Sequence, residues 1–242
     1  MRLVGAELLK VMTTYRTLLG IVLTETALVL LVSIVAVRDA ANDPFLPEHF
    51  ERDLVGIAGT SLPFATLLGV LIATTEYRHG TITLTFLATP VRERVLAAKT
   101  AAALIGSVLL VLPAVVLPVA IAIAWVGDRP DFNLGGEEWE LAGRLFLAAA
   151  LVAILGFFIG ATLTRQLGAI ILVLGWLFFA EGAISHLLPG TTDYLIGPSL
   201  GGLLGGEGED VPSFGHSLAV FSIYVVTLGA LATVATRRRD IT

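Results

Sequence analysis

The sequence predicts an all-α fold, a polytopic membrane protein with six transmembrane helices. Charged residues make up only 14% of the 242 residues and hydrophobic residues 56%, whereas about a quarter of a typical soluble domain is charged. The mean hydropathy is +0.88, and six stretches reach the length of about 20 apolar residues that a helix needs to cross a bilayer. Basic residues are concentrated in alternate loops, as expected of a chain that crosses the membrane repeatedly.

The chain begins with an amphipathic segment, and we expect residues 1–17 to form a helix in the inner membrane interface. Leu3, Val4 and Leu8 recur at roughly helical spacing, and Arg2 and Lys10 can reach lipid headgroups. The alternative is a frayed terminus whose basic residues only set the topology. We expect one transmembrane domain over residues 1–242, with spans at about 18–37, 55–75, 95–125, 141–163, 167–188 and 217–236.

The first span is longer than the apolar segment of about 7 to 15 residues in a signal peptide, so we expect it to be retained. Eleven of the 15 basic residues lie in the N-terminal segment, the second and fourth loops and the tail, and the other loops are mostly acidic. This distribution predicts that both termini are cytoplasmic. We expect the protein to reside in the cell (inner or cytoplasmic) membrane. The four exceptions are Arg38, Arg52, Arg129 and Arg144.

The loop between the second and third spans runs from Glu76 to Lys99 and is the most informative segment. Its roughly twenty residues exceed the 2 to 8 that a simple reversal needs, so we interpret it as a docking element on the cytoplasmic side. Gly80 permits a turn, Thr81 or Thr83 can cap a short helix, and Pro90 prevents its continuation. The alternation of apolar and β-branched residues over 81–86 favours a strand instead.

Three features of the later spans predict local structure. Pro113 and Pro118 predict a kink in the third span. Gly156 and Gly160 form a Gly-x-x-x-Gly step that lets a neighbouring helix, of the same or another subunit, approach closely. Residues 187–216 are too apolar for an ordinary outer loop and indicate a short membrane-dipping or surface-lying helix, with a flexible Gly-rich linker as the alternative.

Two carboxyl groups lie within apolar sequence, Glu25 in the first span and Glu181 in the fifth. Ionisable groups at such depth usually face a cavity or a partner. They could contact a cationic part of a substrate or carry a proton. A protonated carboxyl group hydrogen-bonded to a neighbouring helix is the other interpretation.

Sequence motifs for enzymatic chemistry are missing. There is no G-x-x-x-x-G-K-[ST] phosphate loop, no H-E-x-x-H or G-x-S-x-G motif and no cysteine. The four histidines are scattered, so we expect neither catalytic residues nor a metal site. The net charge of −5 arises mostly from the outer loops and argues against a nucleic-acid partner.

At Glu76, Arg78, Gly80-Thr81, Thr89-Pro90, Arg92 and Lys99 the chain resembles the permease subunits of ABC transporters of the ABC-2 type. The layout of six spans, inner termini, an interfacial N-terminal helix and an enlarged fifth loop is similar over the whole length. The resemblance implies that the first inner loop is a coupling helix that contacts a cytoplasmic ATPase subunit. The contact residues would be Glu76, Tyr77, Arg78, His79, Gly80, Thr81, Ile82, Phe86, Pro90 and Arg92.

The resemblance further implies a homo- or heterodimer with a second permease subunit, in which the first and fifth spans line the dimer interface. ATP and Mg would be bound by the partner ATPase, and this chain would bind no cofactor. The exported compound would be hydrophobic or amphipathic. Ile82 and Phe86 would share the helical face presented to the ATPase, with Glu76, Arg78, Arg92 and Arg94 orienting the contact by charge.

Three alternatives remain open from the residues. The charges of the loop could serve only as determinants of topology. The chain could be a non-transporting assembly or sensor subunit that docks a cytoplasmic partner through the same loop. It could also be a secondary transporter, although only Glu25 and Glu181 are available as intramembrane ion or proton sites.

Overall fold

The computed structural model describes Gly5 and residues 15–89, 91–188, 190–206, 208 and 211–238. All regular structure in these residues is helical, and six helical segments are long and apolar enough to cross a membrane. The all-α, six-span prediction is therefore confirmed. The expected interfacial helix of residues 1–17 lies almost wholly outside the described residues, as does Pro90.

The first span is helix α1 (Tyr15–Asn42). The second joins α2 (Phe50–Gly56), a 3₁₀ segment (Ile57–Ser61) and α3 (Leu62–Arg78). The short helix α4 (Ile82–Ala88) precedes the third span, α5 (Arg92–Val126), and the fourth, α6 (Gly136–Leu163). The fifth joins α7 (Gln166–Gly175), a π-helical segment (Trp176–Ala180) and α8 (Glu181–Leu187). It is followed by the short helix α9 (Ile196–Leu203) and by the last span, α10 (Phe214–Arg238).

The centre of the bundle is the contact between α3 and α6. A Cβ atom on Gly156 would lie 2.1 Å from the Thr66 carbonyl oxygen, and one on Gly69 would lie 2.0 Å from that of Ala153. Each helix thus presents a glycine to the backbone of the other. The partner of the Gly-x-x-x-Gly step is therefore the second span of the same chain.

The second and fourth spans are the most enclosed: 61% and 56% of the residues in their apolar stretches are buried. The first, fifth and sixth are only 22%, 17% and 17% buried. Their apolar surfaces are suited to contact lipid or another subunit. Helix α5 runs without interruption through Pro113 and the buried Pro118.

The segment between the fifth and sixth spans contains helix α9, so the interpretation as a short helix is confirmed there and the flexible linker is not what forms. Leu195 and Leu203 are buried, and Leu200 packs against the main core. The helix packs mainly on α10. It therefore belongs to the folded bundle and bounds part of its interior.

Candidate functional site: a short helix braced against the bundle

Helix α3 ends in a Schellman motif that reverses the chain into α4. Gly80 has a φ of +68°, which glycine adopts without steric cost. The Thr81 amide donates to the Glu76 carbonyl at 3.0 Å, and the Gly80 amide donates to the Tyr77 carbonyl at 3.3 Å. The predicted turn at Gly80 is thus confirmed.

The segment after the turn is helical, and the strand favoured by its alternating pattern is not formed. Thr81 occupies the N-cap position, but its hydroxyl makes no capping hydrogen bond, contrary to the prediction. The stabilising contacts come from further along the helix, where Thr85 and Phe86 reach other elements. A period-two pattern over so few residues cannot form a sheet without a neighbouring strand, and the described residues contain none.

Glu76 joins three helices through a buried ion pair and a hydrogen bond. Its Oε2 atom lies 3.0 Å from Lys99 Nζ in α5, and its Oε1 atom accepts a hydrogen bond of 3.1 Å from Thr85 Oγ1 in α4. Glu76 and Lys99 are only 7% and 6% exposed. The carboxylate therefore faces the bundle, and its expected role in orienting a partner by charge stays a prediction.

Phe86 and Arg92 also face the bundle. The Arg92 guanidinium carbon lies 5.4 Å from the centroid of the Phe86 ring, and its Nη1 atom donates to the carbonyl of Thr236 at 2.7 Å. The arginine therefore neutralises the end of α10, where helix carbonyls lack partners. The half-buried Tyr77 lines a small pocket together with Phe86 and Arg92.

The outward face of α4 is formed by two other residues, Leu84 and Leu87, which are 67% and 74% exposed. They are three positions apart and so lie on one side of the helix. The resemblance implies this role for Ile82 and Phe86, which are half-buried, and their contact with a partner stays a prediction. The spacing within each pair places both of its residues on one side of the helix. Only contacts with residues distant in the sequence decide which of the two pairs faces the bundle.

The remaining predicted contact residues surround the turn. His79, Gly80 and Thr81 are exposed, and the exposed Arg78 donates a hydrogen bond of 3.1 Å to Gln166 Oε1 at the start of α7. Arg94 is exposed as well. The surface of the loop is therefore a pair of exposed leucines with basic side chains nearby.

Glu25 is a buried link between the first two spans. It is 1% exposed, and its Oε1 atom accepts a hydrogen bond of 2.6 Å from the Ser61 hydroxyl in the 3₁₀ segment. Its Oε2 atom accepts a longer one, 3.4 Å, from Thr26. This geometry supports the interpretation as a carboxyl group bonded to a neighbouring helix.

Glu181 holds the start of α9. Its Oε1 atom accepts from Trp176 Nε1 at 2.7 Å and from the Ile196 amide at 2.9 Å, and its Oε2 atom accepts from the Gly197 amide at 2.7 Å. The π-helical segment brings positions five apart onto one face, which aligns Trp176 with Glu181. Both candidate carboxyl groups are thus engaged inside the protein, with different kinds of donor.

The described residues contain no group of three or more histidine and acidic side chains that could hold a metal ion. No model of a protein family matches the sequence, and no curated protein matches it either.

Proposed function

We propose that this chain is the membrane subunit of an ATP-driven exporter and that α4 receives force from a separate cytoplasmic ATPase subunit. The observation that carries the proposal is how α4 is attached to the bundle and which side chains it exposes. This helix is fixed on one side to α3 through Thr85 and to α5 through Phe86, and it exposes two leucines on the other. The resemblance to ABC-2 permeases at Glu76 to Lys99 points to the same segment.

The exposed leucines support docking of a protein. Leu84 and Leu87 lie at the end of the bundle where the basic residues are concentrated, and Val91, which follows α4 in the sequence, is also 47% exposed. Apolar side chains at the centre of a patch and charges at its rim are typical of protein interfaces. Arg94 lies close in sequence and could orient an acidic partner surface.

The buried contacts support transmission of force. Only three residues connect α4 to the helix on either side, 79–81 and 89–91, so α4 can move little relative to α3 and α5. The Glu76–Lys99 ion pair ties α3 to α5, and Arg92 ties α5 to the end of α10. A displacement of α4 would therefore move the second, third and sixth spans together, as a rigid-body response to nucleotide requires.

The test is to replace both Leu84 and Leu87 by serine and to measure co-purification with a phosphate-loop ATPase encoded beside this gene. We expect retention of the ATPase to fall at least about tenfold, because apolar anchors supply most of the affinity of such an interface. Leu167→Ser is the matched control, since Leu167 is 70% exposed at the same end of the bundle. Equal retention in both variants would contradict docking on α4.

Hydrolysis distinguishes transport from the alternative of an assembly or sensor subunit. An export subunit should raise the ATP hydrolysis of the bound ATPase when a hydrophobic substrate is added, and the leucine variant should lose that stimulation. If the ATPase binds through α4 but hydrolysis never responds to the membrane subunit, the chain is a docking subunit without transport activity.

A further inference from the structure

A cavity of about 430 Å³ lies between the fifth and sixth spans, beside α9. This volume falls in the range of about 300–1,000 Å³ that is common for small-molecule sites. Most of its wall is aliphatic, with residues from four spans and from α9; among them are Leu62, Val152, Leu172, Leu177, Leu200 and Leu228.

The polar atoms of the lining side chains are already bonded within the chain. Thr66 Oγ1 donates to the Leu62 carbonyl at 3.0 Å, and Trp176 Nε1 donates to Glu181. Tyr224 donates its hydroxyl hydrogen to the Tyr194 carbonyl at 3.1 Å. The lining, all of which the structure describes, carries no charged side chain. A polar group of a ligand that entered the cavity would lose its hydration without gaining hydrogen bonds. The cavity therefore favours a hydrocarbon ligand.

One wall of the cavity is held in place by Glu181. Trp176 and Ile196 both line the cavity, and both donate to Glu181 Oε1. A Cβ atom on residue 197 would lie 2.6 Å from Glu181 Oε2, so glycine at this position lets the carboxylate approach the start of α9. The cavity is thus bounded on this side by a buried polar network that positions Trp176 and Ile196.

The position of the cavity favours access from the side. The fifth span packs on α3 and α6, the sixth packs on α6 and α9, and the cavity lies between these two spans. Leu172 is the exposed member of the lining, at 48%. Because this edge belongs to a stretch long and apolar enough to cross the membrane, we expect it to face the acyl chains of the bilayer.

We propose that the cavity binds one acyl chain of a bilayer phospholipid, which enters between the fifth and sixth spans. The match is chemical: an apolar cavity without spare hydrogen-bonding groups, open to the hydrocarbon layer, takes an unsubstituted chain. This inference does not depend on an ATPase partner, and it stands or falls separately from the proposed export function.

Trp176 provides a local probe. The chain has three tryptophans, and the other two, Trp125 and Trp139, are 57% and 58% exposed and do not line the cavity. Replacing both by phenylalanine leaves Trp176 as the single emitter. The protein is then placed in nanodiscs of phosphatidylcholine that contain an increasing fraction of phosphatidylcholine brominated along one acyl chain, because bromine quenches tryptophan on contact.

We expect Trp176 emission to be half-quenched at a low fraction of brominated lipid. Leu228→Phe and Leu200→Phe, which place a ring in the cavity from two different elements, should each raise that fraction about tenfold. Leu231→Phe is the matched control on α10, because Leu231 is 52% exposed and lies outside the lining. Only variants whose elution volume and unfolding temperature agree with those of the parent are compared.

Identical quenching curves for the cavity variants and the control would overturn the proposal, since they would show only random contact with surrounding lipid. The same measurement with a brominated fatty acid in unbrominated nanodiscs tests the source of the chain. Quenching by the fatty acid without quenching by the phospholipid would also overturn it, in favour of a single-chain ligand.

Discussion

Glu25 and Glu181 differ in the donors that they bind, and this difference sets what each can tolerate. A hydroxyl can act as donor or acceptor, so Ser61 can also bond to an amide at position 25. Glu181 receives backbone amide hydrogens on both oxygens, and backbone amides can only donate. The two carboxyl groups, equivalent in the sequence, are therefore unequal in the structure.

We predict that Glu25→Gln costs less than ~1 kcal/mol in the free energy of unfolding, whereas Glu181→Gln costs about 1–3 kcal/mol. At position 181 the glutamine NH2 group must face an amide N–H, so a donor loses its acceptor. Unfolding in mixed detergent micelles at increasing dodecyl sulfate measures both values. Equal losses would show that the donor chemistry of these two sites does not control stability.

The Glu76–Lys99 pair offers a second residue-level test. Lys99→Met removes the ammonium group that lies 3.0 Å from the buried Glu76 carboxylate, and we expect a loss of up to about 3–5 kcal/mol in the free energy of unfolding. Adding Glu76→Gln should recover part of that loss, because it neutralises the carboxylate that has lost this ion pair. If the two substitutions are additive in the same unfolding assay, the pair is not coupled.

At the scale of helices, packing of α3 on α6 depends on glycine at the contact. Gly156 lies against the Thr66 carbonyl, and a backbone atom cannot move aside as a flexible side chain would. Gly143, on the same helix, has no atom near its would-be Cβ within 4 Å. Two glycines in one helix thus serve different roles.

We predict that Gly156→Ala destabilises the protein by about 1–3 kcal/mol, since the helices must separate to admit the methyl group. Gly143→Ala should be neutral or stabilise by up to ~1 kcal/mol through helix propensity. Thermal unfolding followed by circular dichroism compares the two. A loss at position 143 as large as that at position 156 would argue that any alanine in α6 is harmful.

Across the whole molecule, two of the four basic residues that break the charge asymmetry have partners just beyond helix ends. Arg129 donates from Nη2 to the Asp43 carbonyl at 2.8 Å, beyond the last turn of α1, and Arg52 donates from Nη2 to the Gly205 carbonyl at 2.6 Å after α9. Both neutralise carbonyl groups that lack helical partners. Their position on the predicted outer side therefore has a structural reason, and the inference of topology from the other basic residues stands as a prediction.

We predict that a cysteine replacing Asp43 or Glu137 reacts in intact cells with a membrane-impermeant maleimide, and that one replacing Arg94 reacts only after permeabilisation. All three positions are exposed, and the chain has no cysteine of its own to interfere. The positive-inside distribution is the physical reason. Labelling of the Arg94 variant in intact cells would reverse the assigned orientation.

The sequence alone determined the number and order of the spans, the short element between the second and third, and the turn at Gly80. Each of these depends on properties read along the chain: the length of an apolar stretch, the density of charge, and the conformational freedom of one glycine. Helix ends were less determined, because the turns at both sides of a span contain polar residues that a hydrophobic window omits. Helix α6, for example, begins at Gly136, before the expected 141.

Tertiary structure alone decided which face of α4 is free and which groups the two buried carboxyl groups bind. The anchor of Phe86 is Arg92, whose own partner Thr236 lies 144 positions further on, and Ser61 meets Glu25 across 36 positions. Such pairings depend on how the helices pack side by side. Hydrophobic periodicity is uninformative there, because a helix in a membrane is apolar towards lipid and towards its neighbours alike.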